Sequence, residues 1–148
     1  MRLTVLLVSM ALLASQPPAA CAAEAEPKTC LDLRKAGGQT TLSGVLTVQL
    51  FAGPPNYESI AGGDAEERAF ILELPRRLCA TDGEFISPAT SFDRVQVSAS
   101  DEAVLGVLRA AVGSTVTVRG EAFGAHTGHH HAPLVLMATQ ATAASEVR

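Results

Sequence analysis

Alternating apolar and polar residues mark five segments of the chain as β-strands, because successive side chains of a strand point to opposite faces. The first predicted strand spans residues 41–51, where Val45 and Phe51 interrupt an otherwise polar face. In the third, Arg94, Gln96 and Ser98 form the face predicted to be wet. The predicted inward positions of the five strands are Leu42, Leu46, Val48 and Leu50; Phe70, Leu72 and Leu74; Val95, Val97 and Ala99; Val116 and Val118; and Leu134, Leu136 and Ala138.

Between the third and fourth strands the apolar period lengthens to that of a helix. Residues 101–112 are predicted to form one short amphipathic helix. Ser100 or Asp101 is placed to cap its first amides, and Gly113 to end it in the left-handed conformation. The apolar stripe consists of Val104, Leu105, Leu108, Ala111 and Val112.

This order of elements is mainly β, with three strands, one helix and two further strands. It predicts a five-stranded barrel like the oligonucleotide- and oligosaccharide-binding (OB) fold, over residues 41–140. Closing the barrel would also pair the strand edges that short strands otherwise expose. The alternative is an open antiparallel α+β sheet with the helix packed on one face, because periodicity does not determine closure.

The first 22 residues are predicted to be a secretory signal peptide, with Arg2 followed by a short apolar stretch. We expect a periplasmic or secreted protein with no transmembrane helix, because that stretch is too short to cross a bilayer. A lipid anchor at Cys21 is the alternative, and would make the protein an outer-membrane lipoprotein. Residues 23–40 are interpreted as a leader and residues 141–148 as a short tail.

The cysteines and the charge narrow the classes of function. Once Cys21 is removed or acylated, Cys30 and Cys79 remain as a pair that an oxidising compartment would join in a disulfide. The alternative is a reduced pair that ligates a metal or serves redox chemistry, although no CxxC spacing supports it. The formal net charge of −4 argues against nucleic acid as a partner, which requires a clustered basic surface.

Two unusual segments fall between predicted strands and therefore on loops, where binding groups tend to lie. Residues 53–59, GPPNYES, carry the sole tyrosine of the chain, and residues 128–131 carry three of its four histidines. In an OB barrel these loops flank the ligand-binding face of the second and third strands. The alternatives are a rigid turn that closes the barrel end and histidines that cap a hairpin. The candidate ligand-binding residues are Asn56, Tyr57, Glu58, His129 and His130.

The histidines are also candidate metal ligands. His129 and His131 would point to the same side of an extended segment, and a turn at Gly128 would let His126 join them. Three imidazole nitrogens suit zinc or copper. A fourth ligand would be Glu121 or an acid within residues 64–67. The alternative is a hydrogen-bonded or solvent-facing loop without any cofactor.

Several segments together resemble a family of small exported bacterial proteins of unknown function. They are residues 51–60 with the following Gly62, Gly63 and Asp64, and residues 125–133, which contain TGHHH. Leu78-Cys79 and residues 116–120 also resemble that family, and the resemblance extends over residues 41–139. It implies a single exported β-rich domain and no established activity or ligand.

These observations favour a non-enzymatic binding module of the bacterial envelope. Its site would comprise the loop around Tyr57 and the loop from His126 to His131, and its partner would be a small molecule, a glycan or an envelope protein. A periplasmic zinc- or copper-binding protein is the alternative hypothesis. An envelope hydrolase comes third, because no catalytic motif is present and no catalytic residue can be assigned.

Overall fold

The computed structural model describes residues 30–34, 39–81 and 83–144. The predicted signal peptide, Cys21 and the end of the predicted tail lie outside the described residues. The elements, in chain order, are β1 (Cys30–Asp32), β2 (Gln39–Ala52), β3 (Glu66–Thr81), β4 (Phe92–Ser98), α1 (Glu102–Ala110), β5 (Thr115–Gly124) and β6 (Leu134–Ala143).

Strands β2 to β6 form a closed OB-like barrel. The order of neighbours is β3-β2-β5-β6-β4, and β4 pairs back onto β3. The closing ladder runs from Phe70 opposite Val97 to Glu73 opposite Arg94. Strands β4 and β6 are parallel, whereas the other neighbours within the barrel are antiparallel. The predicted barrel is confirmed and the open-sheet alternative is wrong, because the β3 to β4 ladder leaves no open sheet.

Most of the alternating apolar positions fill the barrel, but Val48 and Leu50 are 42% and 49% exposed, so their predicted inward places are wrong. Leu46, Leu72, Val118 and Leu136 have no exposed surface, and Leu108 of α1 packs with them in the same core. The barrel strands extend past the predicted limits at both ends, since β2 begins before residue 41 and β6 ends after residue 140.

The helix is shorter than predicted. Asp101 caps it, accepting hydrogen bonds from the amides of Ala103 and Val104, and Ala111 is its C-terminal cap. Gly113 has a φ of 87°, but it lies beyond the cap in the turn towards β5. Val112 is therefore outside the helix and is 43% exposed, so its predicted place on the buried stripe is wrong.

Strand β1 has no counterpart in the sequence prediction, which assigned Cys30 to a leader. It runs parallel to β3, with Cys30 opposite Cys79. The two cysteines form a disulfide, with their Cα atoms 4.3 Å apart, which confirms the predicted pairing. Among the described residues, no helix is both long enough and apolar enough to span a membrane.

Candidate functional site

The two loops predicted to carry the site contact each other. The Tyr57 loop (residues 53–65) joins β2 to β3, and the histidine loop (residues 125–133) joins β5 to β6. The Tyr57 hydroxyl lies 2.9 Å from His129 Nε2. Their rings meet edge to face, with centroids 5.1 Å apart. The structure therefore brings these two candidate residues together across a wide separation in sequence.

Gly128 permits this contact. An ideal Cβ built at Gly128 would lie 2.8 Å from two carbons of the Tyr57 ring, closer than real Cβ contacts come. The only side chain that fits against the ring without displacing a loop is therefore the hydrogen of glycine.

A buried carboxylate organises the Tyr57 loop. Asp64 accepts hydrogen bonds from the backbone amides of Asn56, Glu58 and Ser59, at 2.8 to 2.9 Å, and from the Asn56 side chain at 3.0 Å. The backbone donors, those from Ser59 and Glu58 first, lower the pKa of Asp64 from 3.8 to about 2. Between these donors Tyr57 has a φ of 61°, a conformation that non-glycine residues adopt rarely. Asn56 and Glu58 therefore shape the loop through Asp64.

Replacing Asp64 with asparagine tests this role by its pH dependence. The pKa of Asp64 in the folded protein lies below its ordinary value of 3.8. The ionised carboxylate therefore stabilises the fold at pH values above 3.8, and this stabilisation is lost as the pH falls towards about 2. We expect the urea midpoint of the Asp64→Asn variant to lie below that of the wild type at pH 7. The gap should narrow as the pH is lowered from about 4 to about 2. A gap that stays constant over that range would contradict the assignment.

Glu67, near the start of β3, contacts the histidine loop on the other side of His129. Its Oε2 lies 2.8 Å from His129 Nδ1 and its Oε1 lies 3.4 Å from His131 Nε2. Partial burial opposes ionisation of Glu67, but the hydrogen bond to His129 and the electrostatic interaction with both histidines outweigh it and lower the pKa of Glu67. Because an ionised carboxylate only accepts, His129 Nδ1 carries the hydrogen. In the neutral ring, Nε2 then accepts a hydrogen bond from the Tyr57 hydroxyl.

Gln96 fastens the histidine loop to the barrel. Its Nε2 donates to the His129 carbonyl at 2.9 Å, and its Oε1 accepts from the His131 amide at 2.6 Å. Gln96 is 8% exposed, so its predicted place on a wet face is wrong. The histidine loop covers this face of β4. Its backbone forms hydrogen bonds with both the nitrogen and the oxygen of the buried Gln96 side-chain amide.

The side chain of His131 points inward from the histidine loop and is buried. Its ring stacks on Phe51, with centroids 4.1 Å apart and planes within 1°. Its side chain is 8% exposed, and its Nε2 is buried without a hydrogen-bond partner.

His126 and His130 form a separate cluster. The His126 amide donates to His130 Nδ1 at 3.0 Å, and the two rings lie 4.7 Å apart. Phe123 contacts both rings, and Phe85 stacks on His126. Burial, followed by the charge of the neighbouring histidines, lowers the pKa of His130, which favours its neutral form.

The predicted metal-ligand set is divided between these two places. His126 lies with His130, whereas His129 and His131 both face Glu67. Within the described ranges, no three histidine, cysteine, aspartate or glutamate side chains form a group already arranged to hold a metal ion. Cys30 and Cys79 are joined to each other.

A cavity of about 340 Å³ lies beside the histidine loop. It follows β3 and the end of β4, the face that binds ligands in OB barrels. Its polar lining residues are Glu67, Arg68, Gln96, Ser98, His129 and His130, and apolar residues such as Val97 and Met137 line the rest. Gln96 was not singled out from the sequence, and Glu67 was included only among the acids of residues 64–67 that could be a fourth metal ligand. Each lies in a polar pattern typical of solvent-facing positions, so only the three-dimensional placement of the histidine loop distinguishes them.

The fold and the site define a disulfide-linked OB-like barrel with a polar cavity at the face where other OB barrels bind their ligands. Residues 94–142 match a family model described as a domain of unknown function (DUF4431). The matched part runs from β4 through α1 and the histidine loop into β6, so it contains Gln96 and all four histidines but not the Tyr57 loop. No curated protein matches the chain.

Proposed function

We propose that this protein is an exported, non-enzymatic binding module of the bacterial envelope, with a neutral oligosaccharide or glycan fragment as its ligand. The site is the cavity between β3, β4 and the histidine loop. The observation that supports it best is the 2.9 Å contact between Tyr57 and His129, which joins the two loops that flank the binding face of an OB barrel.

The chemistry of the cavity favours a sugar over the other ligand class of the fold. Nucleic acid would meet a chain with a net charge of −4 and a single lysine or arginine, Arg68, in the cavity lining. A sugar offers hydroxyl groups that both donate and accept, as Ser98, His129 and His130 do. Met137, which is 36% exposed, and the half-buried Phe70 and Phe123 provide apolar surface for the faces of the sugar rings.

The site is also preorganised, which reduces the entropy lost on binding. Asp64 fixes the Tyr57 loop and Gln96 fixes the histidine loop, each through partly buried hydrogen bonds. His129 is held between Tyr57 and Glu67. A ligand would therefore meet a cavity wall whose polar groups are already in position.

The proposal is tested by calorimetric titration of the untagged protein with oligomers of N-acetylglucosamine and soluble peptidoglycan fragments. A chelator is present throughout, so the result does not depend on a metal ion. We expect Tyr57→Ala and His130→Ala to weaken binding by about tenfold or more, the loss of about 1.4 kcal/mol. Gly128→Ala should do the same, because it forces the loops apart without removing a polar group.

Arg109→Ala is the matched control. Arg109 is an exposed residue of α1 that pairs with Glu102 and does not line the cavity, so its loss should leave binding unchanged. Thermal unfolding of each variant separates loss of binding from loss of fold. Failure of every glycan to bind the wild type would reject the glycan proposal. Cleavage of an oligosaccharide during titration would instead support the envelope hydrolase.

A further inference from the structure

We propose that Glu67, His129 and His131 form a binding site for a divalent transition-metal ion such as Zn²⁺. This set differs from the histidine trio predicted from the sequence, because Glu67 takes the place of His126. It also goes beyond glycan binding, since a metal ion would bind without any sugar.

The first reason is the unpartnered nitrogen of His131. Its side chain is 8% exposed, and its Nε2 is buried without a hydrogen-bond partner while facing Glu67 Oε1. Leaving a buried polar atom unpaired is costly, about 1 to 3 kcal/mol. A cation between the two groups would satisfy the nitrogen and the carboxylate together.

The second reason is the spacing of the donors. Glu67 Oε1 and His131 Nε2 are 3.4 Å apart. Two ligands of a tetrahedral Zn²⁺ ion, each bonded at about 2.0 to 2.2 Å, are separated by about 3.4 Å. This pair therefore already has the separation that the ion requires. His129 Nδ1 lies 2.8 Å from the other carboxylate oxygen, Oε2, so His129 must shift to bind the same ion.

The third reason is that a change of tautomer gives His129 a free lone pair on Nδ1 while its hydrogen bond with Tyr57 is kept. In the present tautomer Nδ1–H donates to Glu67 and Nε2 accepts from Tyr57. If the hydrogen is carried on Nε2 instead, Nδ1 can bind the metal and Nε2–H can donate to the Tyr57 oxygen at the same 2.9 Å. A ligating histidine commonly donates its second ring N–H in this way, which fixes its orientation.

The donor set selects the class of ion. Imidazole nitrogens favour zinc, copper, nickel and iron over magnesium and calcium, which prefer oxygen ligands. One carboxylate with two imidazoles is a mixed set that suits Zn²⁺ and Co²⁺. Phe51, stacked on His131, holds one of the rings in place.

The test is titration of the untagged full chain with Zn²⁺ by calorimetry, followed in parallel by tyrosine fluorescence. Tyr57 is the sole tyrosine and the chain has no tryptophan, so emission reports the residue that contacts His129. We expect one ion to bind per chain and to change this emission. Co²⁺ should give the visible absorption of a site with nitrogen and oxygen ligands and no thiolate.

Three variants locate the site. Glu67→Gln and His129→Gln should each weaken Zn²⁺ binding by about tenfold or more. Removing even a residue that only orients a metal ligand weakens metal affinity by about tenfold. His126→Ala should leave binding unchanged. His129 is 57% exposed, so its variant remains informative if Glu67→Gln fails to fold. Absence of Zn²⁺ binding to the wild type, or equal loss in His126→Ala and His129→Gln, would overturn the proposal.

Discussion

Replacing Gly120 with alanine is expected to lower the free energy of unfolding by about 3 kcal/mol, because the barrel has no space for a side chain there. An ideal Cβ at Gly120 would lie 1.9 Å from the carbonyl oxygen of Met137 and 2.6 Å from its carbonyl carbon. Both atoms belong to the backbone of β6, so no side-chain rotation removes the overlap. The strands themselves must move apart.

The position also matters for the ladder between β5 and β6. Arg119 lies opposite Gln140, whereas Gly120 lies opposite Ala138, so Thr139 is an extra residue on β6. A bulge of this kind bends and twists the strand that contains it. Separating the strands at the bulge would disturb the end of β5 from which the histidine loop departs.

Urea unfolding of the purified variants measures the effect, and Gly106→Ala is the matched control. Gly106 lies within α1, and a Cβ built there meets nothing within 4 Å. The same change of residue should therefore raise stability by about 0.5 to 1 kcal/mol, the usual gain in a helix interior. If Gly120→Ala were as stable as the wild type, β5 and β6 could not approach as closely as described.

Local periodicity explains why much of the fold was predictable. The inward positions of β2 and β5, such as Leu46 and Val118, alternate with polar residues, and Asp101 precedes an apolar stripe of helical spacing. Periodicity could not decide whether the sheet closes into a barrel. Closure depends on the β3 to β4 and β4 to β6 ladders, which join segments that are distant in sequence. Strand β1 was missed because three residues are too few to show a period.

The candidate site was predictable as a pair of loops, but its internal contacts were not. Alternation of side chains along an extended segment predicts that His129 and His131 lie on the same side, and both face Glu67. Glu67 was only one of several acids after Asp64, and nothing in the spacing distinguished it. Gln96 alternates with buried valines like any outward residue, and its burial follows from the loop that folds over it.

Removing the disulfide between Cys30 and Cys79 is expected to lower the free energy of unfolding by about 4 kcal/mol under oxidising conditions. The bond joins residues separated by 49 positions, and closing a loop of that length restricts the unfolded chain by about this amount in the chain-entropy model. It also holds β1, which has only three residues, against β3. Leu31 and Leu33, which pack on the core, would lose that attachment.

The comparison is between the wild type and a Cys30→Ser, Cys79→Ala double variant, each unfolded in urea with and without a thiol reductant. Alanine is chosen at Cys79 because that side chain is fully buried and a serine hydroxyl there would lack a partner. The two proteins should differ strongly without reductant and converge once the wild type is reduced. Equal midpoints without reductant would contradict a stabilising role. A difference confined to oxidising conditions would mean that full stability requires an oxidising compartment, as the proposed export provides.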